Sequence, residues 1–185
     1  MSHEFGTPTV VLDNPTPTLF VDYDGTLHRG RGLLDASGKV SLDTGNPTFE
    51  FAPLLESLLN PYPHVEIVLT TSWLDMLPAE EVVSYLPQRL AKRVVGTTLG
   101  IKPRFGYLLD GSTRTYIIRA YVFEHRLKNW LAIDDSVYGA RHLNTDFLTL
   151  EPHLVLLDPR QGIASPESQQ RIRVWLAETH GANSN

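Results

Sequence analysis

The chain has no cysteine among its 185 residues. Disulfides, thiolate metal ligands and cysteine nucleophiles are therefore excluded, and the composition fits a reducing compartment. No apolar run approaches the length of a membrane span, and Met1 to Thr9 lack the basic-then-apolar order of a signal segment. A cytoplasmic protein without membrane association is the expectation. Nor is there an overall excess of positive charge. The net charge of −5 argues against a protein that coats nucleic acid non-specifically. The seven histidines are scattered without an i, i+4 pair, and none is assigned to a metal.

What is present is a globular composition, 42% hydrophobic and 20% charged, in a chain long enough to bury one sizeable core. Residues 1–16 are polar and proline-dotted and read as a flexible lead-in, 17–180 as a single domain, and 181–185 as a disordered tail. Charge is unevenly spread. Between Gln88 and Lys128 nine basic residues face two acidic ones, a local charge of +7. A solvated face is the plain reading of such a cluster.

Short, continuously apolar runs alternate with helical patterns. Leu19 to Val21, Val65 to Leu69, Arg93 to Gly96, Trp130 to Ile133 and Leu154 to Leu157 read as strands buried on both faces. Between the first two, His28 to Gly45 is a glycine-rich surface excursion with a small hairpin around Ser37-Gly38. Asn46-Pro47 looks like a helix start, followed by the stripe Phe51, Leu54, Leu55, Leu58 and Leu59. A second helix is expected from Pro78 to about Lys92, with a kink or break at Pro87. Ser112 or Thr113 can cap a third, bearing Ile117, Ile118, Tyr121 and Val122, and Ser165-Pro166-Glu167 opens a last, bearing Ile172, Trp175, Leu176 and Thr179. The alternation predicts an α/β domain built on a parallel sheet with helices on both faces.

Polar residues recur where three of these strands end. Asp22-Tyr23-Asp24-Gly25 follows the first, Thr70-Thr71-Ser72-Trp73 the second, and Asp134-Asp135-Ser136 the run from Trp130. Carboxylates at the end of a buried strand are costly unless a cation or hydrogen-bond donors meet them. An Asp-rich turn is the plain alternative for the first stretch, and a calcium loop fails because Thr26, His28 and Gly30 hold its next ligand positions. Phosphoryl transfer would use the whole set. Asp22 can attack phosphorus, while Asp24 gives a proton to the leaving oxygen and later takes one from water. Asp134 and Asp135 are hard ligands for Mg²⁺, and Thr70 and Arg114 can hold phosphoryl oxygens. Trp73 is a packing residue or an aromatic that stacks on a base.

The motif Asp22-Tyr23-Asp24-Gly25-Thr26-Leu27 resembles the first motif of the haloacid dehalogenase (HAD) superfamily. Together with Ile67 to Trp73, Arg93 to Gly96, Arg114, Ile118, Tyr121-Val122, Trp130 to Asp135 and Leu157 to Gly162, it resembles one branch in particular. That branch is the HAD domain of Swiss Army Knife RNA repair proteins and their stand-alone relatives. The resemblance implies a Mg²⁺-dependent phosphatase on a Rossmann-like sheet with a small flap and no large cap domain. It implies Asp22 and Asp24 as catalytic, Thr70, Thr71 and Arg114 as phosphate-binding, and Asp22, Asp24, Asp134 and Asp135 as metal ligands, Asp24 through its backbone carbonyl. Many members of the superfamily carry Lys where Arg114 stands, and the acid expected three positions later is Ile117. Lys102 is therefore a second candidate for the phosphate-binding cation.

A site without a large cap suits an ester at the end of a polymer. The +7 segment carries Phe105, Tyr107, Tyr116 and Tyr121 among its charges, a mixture that suits a nucleic-acid end. The expected partner is thus a phosphorylated substrate, with a terminal phosphate of RNA or DNA preferred. The alternatives are a phosphatase of small metabolites or nucleotides and a binding module that has kept the fold without turnover.

Overall fold

The computed structural model describes residues 12–103, 112–137 and 150–182. The first apolar run forms β1 (Thr18–Val21), buried along its whole length. Leu19 and Val21 join one apolar layer and Phe20 the other, so the strand is covered on both faces, as its unbroken hydrophobicity predicts. After β1 the chain makes a hairpin of β2 (Gly32–Leu34) and β3 (Val40–Leu42), which turns around Ser37-Gly38 as expected. Next come α1 (Ala52–Leu59) and β4 (Glu66–Leu69). Pro87 splits the following helix into α2 (Ala79–Ser84) and α3 (Gln88–Ala91), because a proline offers no N–H to continue the ladder. The order then runs β5 (Val94–Thr97), α4 (Thr113–Glu124), β6 (Trp130–Asp134), β7 (Leu154–Leu156) and α5 (Pro166–Ala182).

The five long-range strands form one parallel sheet in the order β5-β4-β1-β6-β7. The chain winds outward from β1 through β4 to β5, then returns to the other side of β1 for β6 and β7. The winding therefore reverses beside β1, and in such sheets the crevice beyond the strand ends at that point is where ligands sit. One face is packed by Leu55 and Leu59 of α1, Val82 of α2, and Ile172 and Leu176 of α5. On the opposite face Ile118 and Tyr121 of α4 cover Phe20, Val68 and Ala132. The Phe20 ring meets Tyr121 and Trp130 edge-on, with centroids 5.5 and 5.9 Å away.

Two helix expectations are corrected. Asn46-Pro47 starts no helix, and α1 begins only at Ala52. The backbone between is drawn to the loop after β1 instead: Phe51 N–H donates to Leu27 O at 2.9 Å, and Phe49 N–H to His28 Nδ1 at 3.3 Å. Phe49 adopts a left-handed φ of 59°, which a helix cannot continue. Ser112 stands at the N-cap of α4 without a capping hydrogen bond, and the buried stripe of α4 is Thr115, Ile118 and Tyr121, with Ile117 and Val122 only half-buried. The chain is anchored from Asn14, whose N–H donates to Arg126 O at 3.0 Å and whose carbonyl accepts from Lys128 N–H at 3.0 Å. At the other end α5 continues to Ala182.

Among the described residues, only the hairpin and α1 separate β1 from β4, and no cap domain is present. No described helix is long and apolar enough to cross a membrane. Arg104, Phe105 and Tyr107 of the basic segment lie outside the described residues. Because Phe20 is fully buried in the layer beneath α4, Phe20→Ala is expected to lower stability by about 3–5 kcal/mol, read from the urea midpoint at unchanged slope.

Candidate active site

Sheet register assembles the site. Val21 pairs with Leu69 on one side and with Ile133 on the other, so the residues that follow, Asp22, Thr70 and Asp134, lie abreast on three neighbouring strands. Adjacent strands are about 4.8 Å apart, which is the separation of groups that can share one small ligand. Backbone bonds fix this alignment: Thr70 N–H donates to Val21 O at 3.1 Å and Leu157 N–H to Asp134 O at 3.0 Å. Asp22, Thr70 and Asp134 are all buried.

One oxygen from each of Asp22, Asp134 and Asp135 falls within 4.8 Å of the others. Burial pushes the Asp22 carboxyl well above the usual carboxylate range, and the neighbouring Asp134 raises it further, against the pull of Arg114 and the Tyr23 N–H. Burial likewise raises Asp134 to about 7, with Arg114 and the Ser136 N–H acting in the opposite direction. Asp134 Oδ1 accepts from Ser136 N–H at 2.7 Å. Its other oxygen, Oδ2, is buried and accepts no hydrogen bond among the described residues, although Arg114 Nε stands 3.3 Å away. Three clustered carboxylates, one with an orphaned buried oxygen, are a donor set that fits a hard divalent cation such as Mg²⁺.

The cationic side of the site comes from α4. Arg114 Nη1 donates to Thr70 Oγ1 at 3.0 Å while its Nε faces Asp134, so one guanidinium spans β4 and β6. Lys102 is exposed, and no hydrogen bond or ion pair joins it to these residues among the described ones. Thr71 is buried and serves the local turn. Its Oγ1 accepts from Trp73 N–H at 3.3 Å and caps the short 3₁₀ stretch Ser72–Asp75.

Asp24 sits one turn further along. Its Oδ1 accepts from Trp73 Nε1–H at 2.8 Å, His28 Nε2–H at 3.0 Å and Gly32 N–H at 3.1 Å. Trp73 is fully buried against Tyr23, Phe49 and Tyr85, so it packs and donates, and it cannot stack on a base. His28, passed over in the sequence because no metal pattern includes it, is also fully buried. The only hint in the sequence is its place four residues after Asp24. Two glycines make the surrounding loops possible. Gly25 has φ 64°, and a Cβ there would strike Asp135 Oδ2 and Pro159. Gly162 has φ 51°, and a Cβ would strike Thr26 O, the carbonyl that accepts from Ile163 N–H at 3.1 Å. The loop after β7 is thereby seated on the loop after β1.

A Rossmann-like parallel sheet with these acids leaving its central strands is of the haloacid dehalogenase type. Within that class the chain belongs to the family described as HAD domain in Swiss Army Knife RNA repair proteins, which matches residues 18–168. No curated protein matches the chain significantly.

The raised carboxyls have a measurable sign. In the folded, cation-free protein Asp22 and Asp134 hold protons at pH values where the unfolded chain has lost them, so their contribution is full below the ordinary aspartate pKa and is lost as pH rises through the folded values. In chelator, the melting temperature is expected to fall between about pH 5 and about pH 8. Mg²⁺ should restore more of it at the higher pH, and Asp134→Asn should flatten the profile. Melting curves across that range check all three.

Proposed function

We propose that the domain is a Mg²⁺-dependent phosphomonoesterase that works through an aspartyl-phosphate on Asp22 and acts on a terminal phosphate of a nucleic acid. The observation that carries the reading is the placement of Asp22 abreast of Thr70 and Asp134, with Arg114 spanning the last two. Asp22, Asp134, Asp135 and the backbone carbonyl of Asp24 would hold Mg²⁺, which when bound offsets the repulsion between an attacking carboxylate and a phosphate dianion.

A carboxylate oxygen of Asp22 attacks phosphorus, and the bond from phosphorus to the leaving oxygen breaks. Asp24 gives that oxygen its proton. Water then attacks the phosphoryl-aspartate, Asp24 takes the proton from it, and Asp22 and inorganic phosphate are released. Arg114 and Thr70 present N–H and O–H groups at the same edge and hold the equatorial oxygens of the transferring group. Asp22 must be ionised to attack, and its burial beside Asp134 opposes that. Turnover therefore depends on the positive charge that Arg114 and the cation bring.

The nucleic-acid end is favoured over a small metabolite by two features. The family is described as the HAD domain in Swiss Army Knife RNA repair proteins. No described cap encloses the catalytic edge. The test is hydrolysis of 3′-phosphorylated oligonucleotides against mononucleotides in Mg²⁺. A kcat/KM about tenfold or more higher on the oligonucleotide is expected, with a loss of about a thousandfold in Asp22→Asn. A preference for mononucleotides would assign the site to small metabolites, and activity surviving in Asp22→Asn would remove Asp22 as nucleophile.

A further inference from the structure

Asp24 has two carboxylate oxygens, and the protein treats them differently. Oδ1 receives three N–H groups from three separate places in the fold: Trp73 after β4, His28 in the loop after β1, and Gly32 at the start of the hairpin. No hydrogen bond from the described residues reaches Oδ2. A carboxylate oxygen has about two lone-pair sites, so three donors leave no room for a fourth partner on Oδ1.

The donors are themselves held. His28 Nδ1 accepts from Phe49 N–H at 3.3 Å, so the ring carries its proton on Nε2 and aims it at Asp24. Phe49 reaches that position with a left-handed backbone, φ 59°, a conformation that a phenylalanine adopts only at some energetic cost. The Trp73 indole is locked edge-on between Tyr23 and Tyr85, at centroid separations of 5.3 and 5.2 Å, and the Tyr23 hydroxyl donates to Val82 O at 3.0 Å. A Cβ at Gly32 would lie 2.5 Å from Trp73 Nε1, so the hairpin approaches Asp24 this closely only because the residue is glycine.

We propose that His28 and Trp73 are positioning residues which, with the Gly32 N–H, occupy one oxygen of Asp24 and reserve the other, Oδ2, for proton exchange with the leaving group and the attacking water. The inference rests on the acid/base role given to Asp24 above. It makes the alignment of the proton donor a property of the hairpin and the β4 loop together, not of the first motif alone.

Leaving groups of different basicity test it. An ester such as phenyl phosphate needs a proton on its departing oxygen, whereas 2,4-dinitrophenyl phosphate departs without one. The measured quantity is kcat/KM, which reports the step in which the leaving group departs. Trp73→Phe keeps the ring and removes the N–H, and His28→Leu removes the other side-chain donor. Each is expected to lose about tenfold or more on phenyl phosphate relative to its loss on the dinitrophenyl ester, and His28→Gln, which restores a donor, to recover part of that difference. Asp24→Asn should show the same discrimination more strongly.

Equal losses on both esters, in variants that melt like the parent protein, would overturn the proposal while leaving the phosphatase reading intact. Failure of the parent protein to hydrolyse either ester in Mg²⁺ would overturn both. A second readout needs no turnover. The Trp73 indole N–H resonance, identified by its loss in Trp73→Phe, should move upfield in cation-free Asp24→Ala and not in Asp22→Ala. An unmoved resonance would refute the contact.

Discussion

Asp22 and Asp134 are buried side by side at the ends of adjacent strands, and most of what surrounds them acts to make that arrangement tolerable. Two carboxylates in a low-dielectric setting repel one another and each resists ionisation. The protein answers with the Arg114 guanidinium, with backbone N–H groups from Tyr23 and Ser136, and with proton uptake. What it does not supply, among the described residues, is a hydrogen bond to Asp134 Oδ2. An apolar sheet covered on both faces is required to hold such charges in register, because a looser scaffold would let them separate or admit water. The packing of Phe20 beneath α4, and of Leu55 and Leu59 over the other face, therefore serves the site as directly as the acids do.

The same logic extends outward from the central strands. Arg93 lies at the far edge of the sheet from the acids, and its guanidinium donates to the carbonyls of Leu59, Tyr62 and Val65 at 3.0, 2.8 and 3.0 Å. It ties the end of α1 to the start of β4. At the edge that carries the acids, Gly162 and Ile163 dock the loop after β7 on Thr26, and Gly25 leaves room for Asp135. The loops after β1 and β7 are thus fastened to one another by a backbone hydrogen bond as well as by packing.

What could be read from the sequence follows the range over which each signal acts. The strands from Leu19, Val65 and Trp130 were legible because burial on both faces leaves a continuous apolar run. The acids that follow the first and the last of these were legible because charge at a buried strand end is unusual in itself. Asn46-Pro47 misled because capping propensity is local, while the backbone there is claimed by Leu27 and His28. Beyond the place of His28 four residues after Asp24, nothing in the sequence pointed to the contacts of Trp73 and His28 with Asp24, since residue spacing does not show that distant polar atoms meet. Arg114 and Lys102 could not be separated for the same reason: the contacts of the Arg114 guanidinium with Thr70 and Asp134 join residues far apart in the chain.

The position of β6 in the sheet also bears on how the protein comes into being. β1 acquires its second neighbour only after most of the chain has been made, since β6 ends at Asp134. During synthesis the first aspartates emerge early and wait, with one side of their strand unpaired, for a partner far along the chain. Contacts between such distant segments close slowly, and exposed strand edges invite association with other chains in the interval. The cluster of three carboxylates is accordingly a late acquisition, and a chain truncated before Trp130 would hold Asp22 without Asp134 and Asp135.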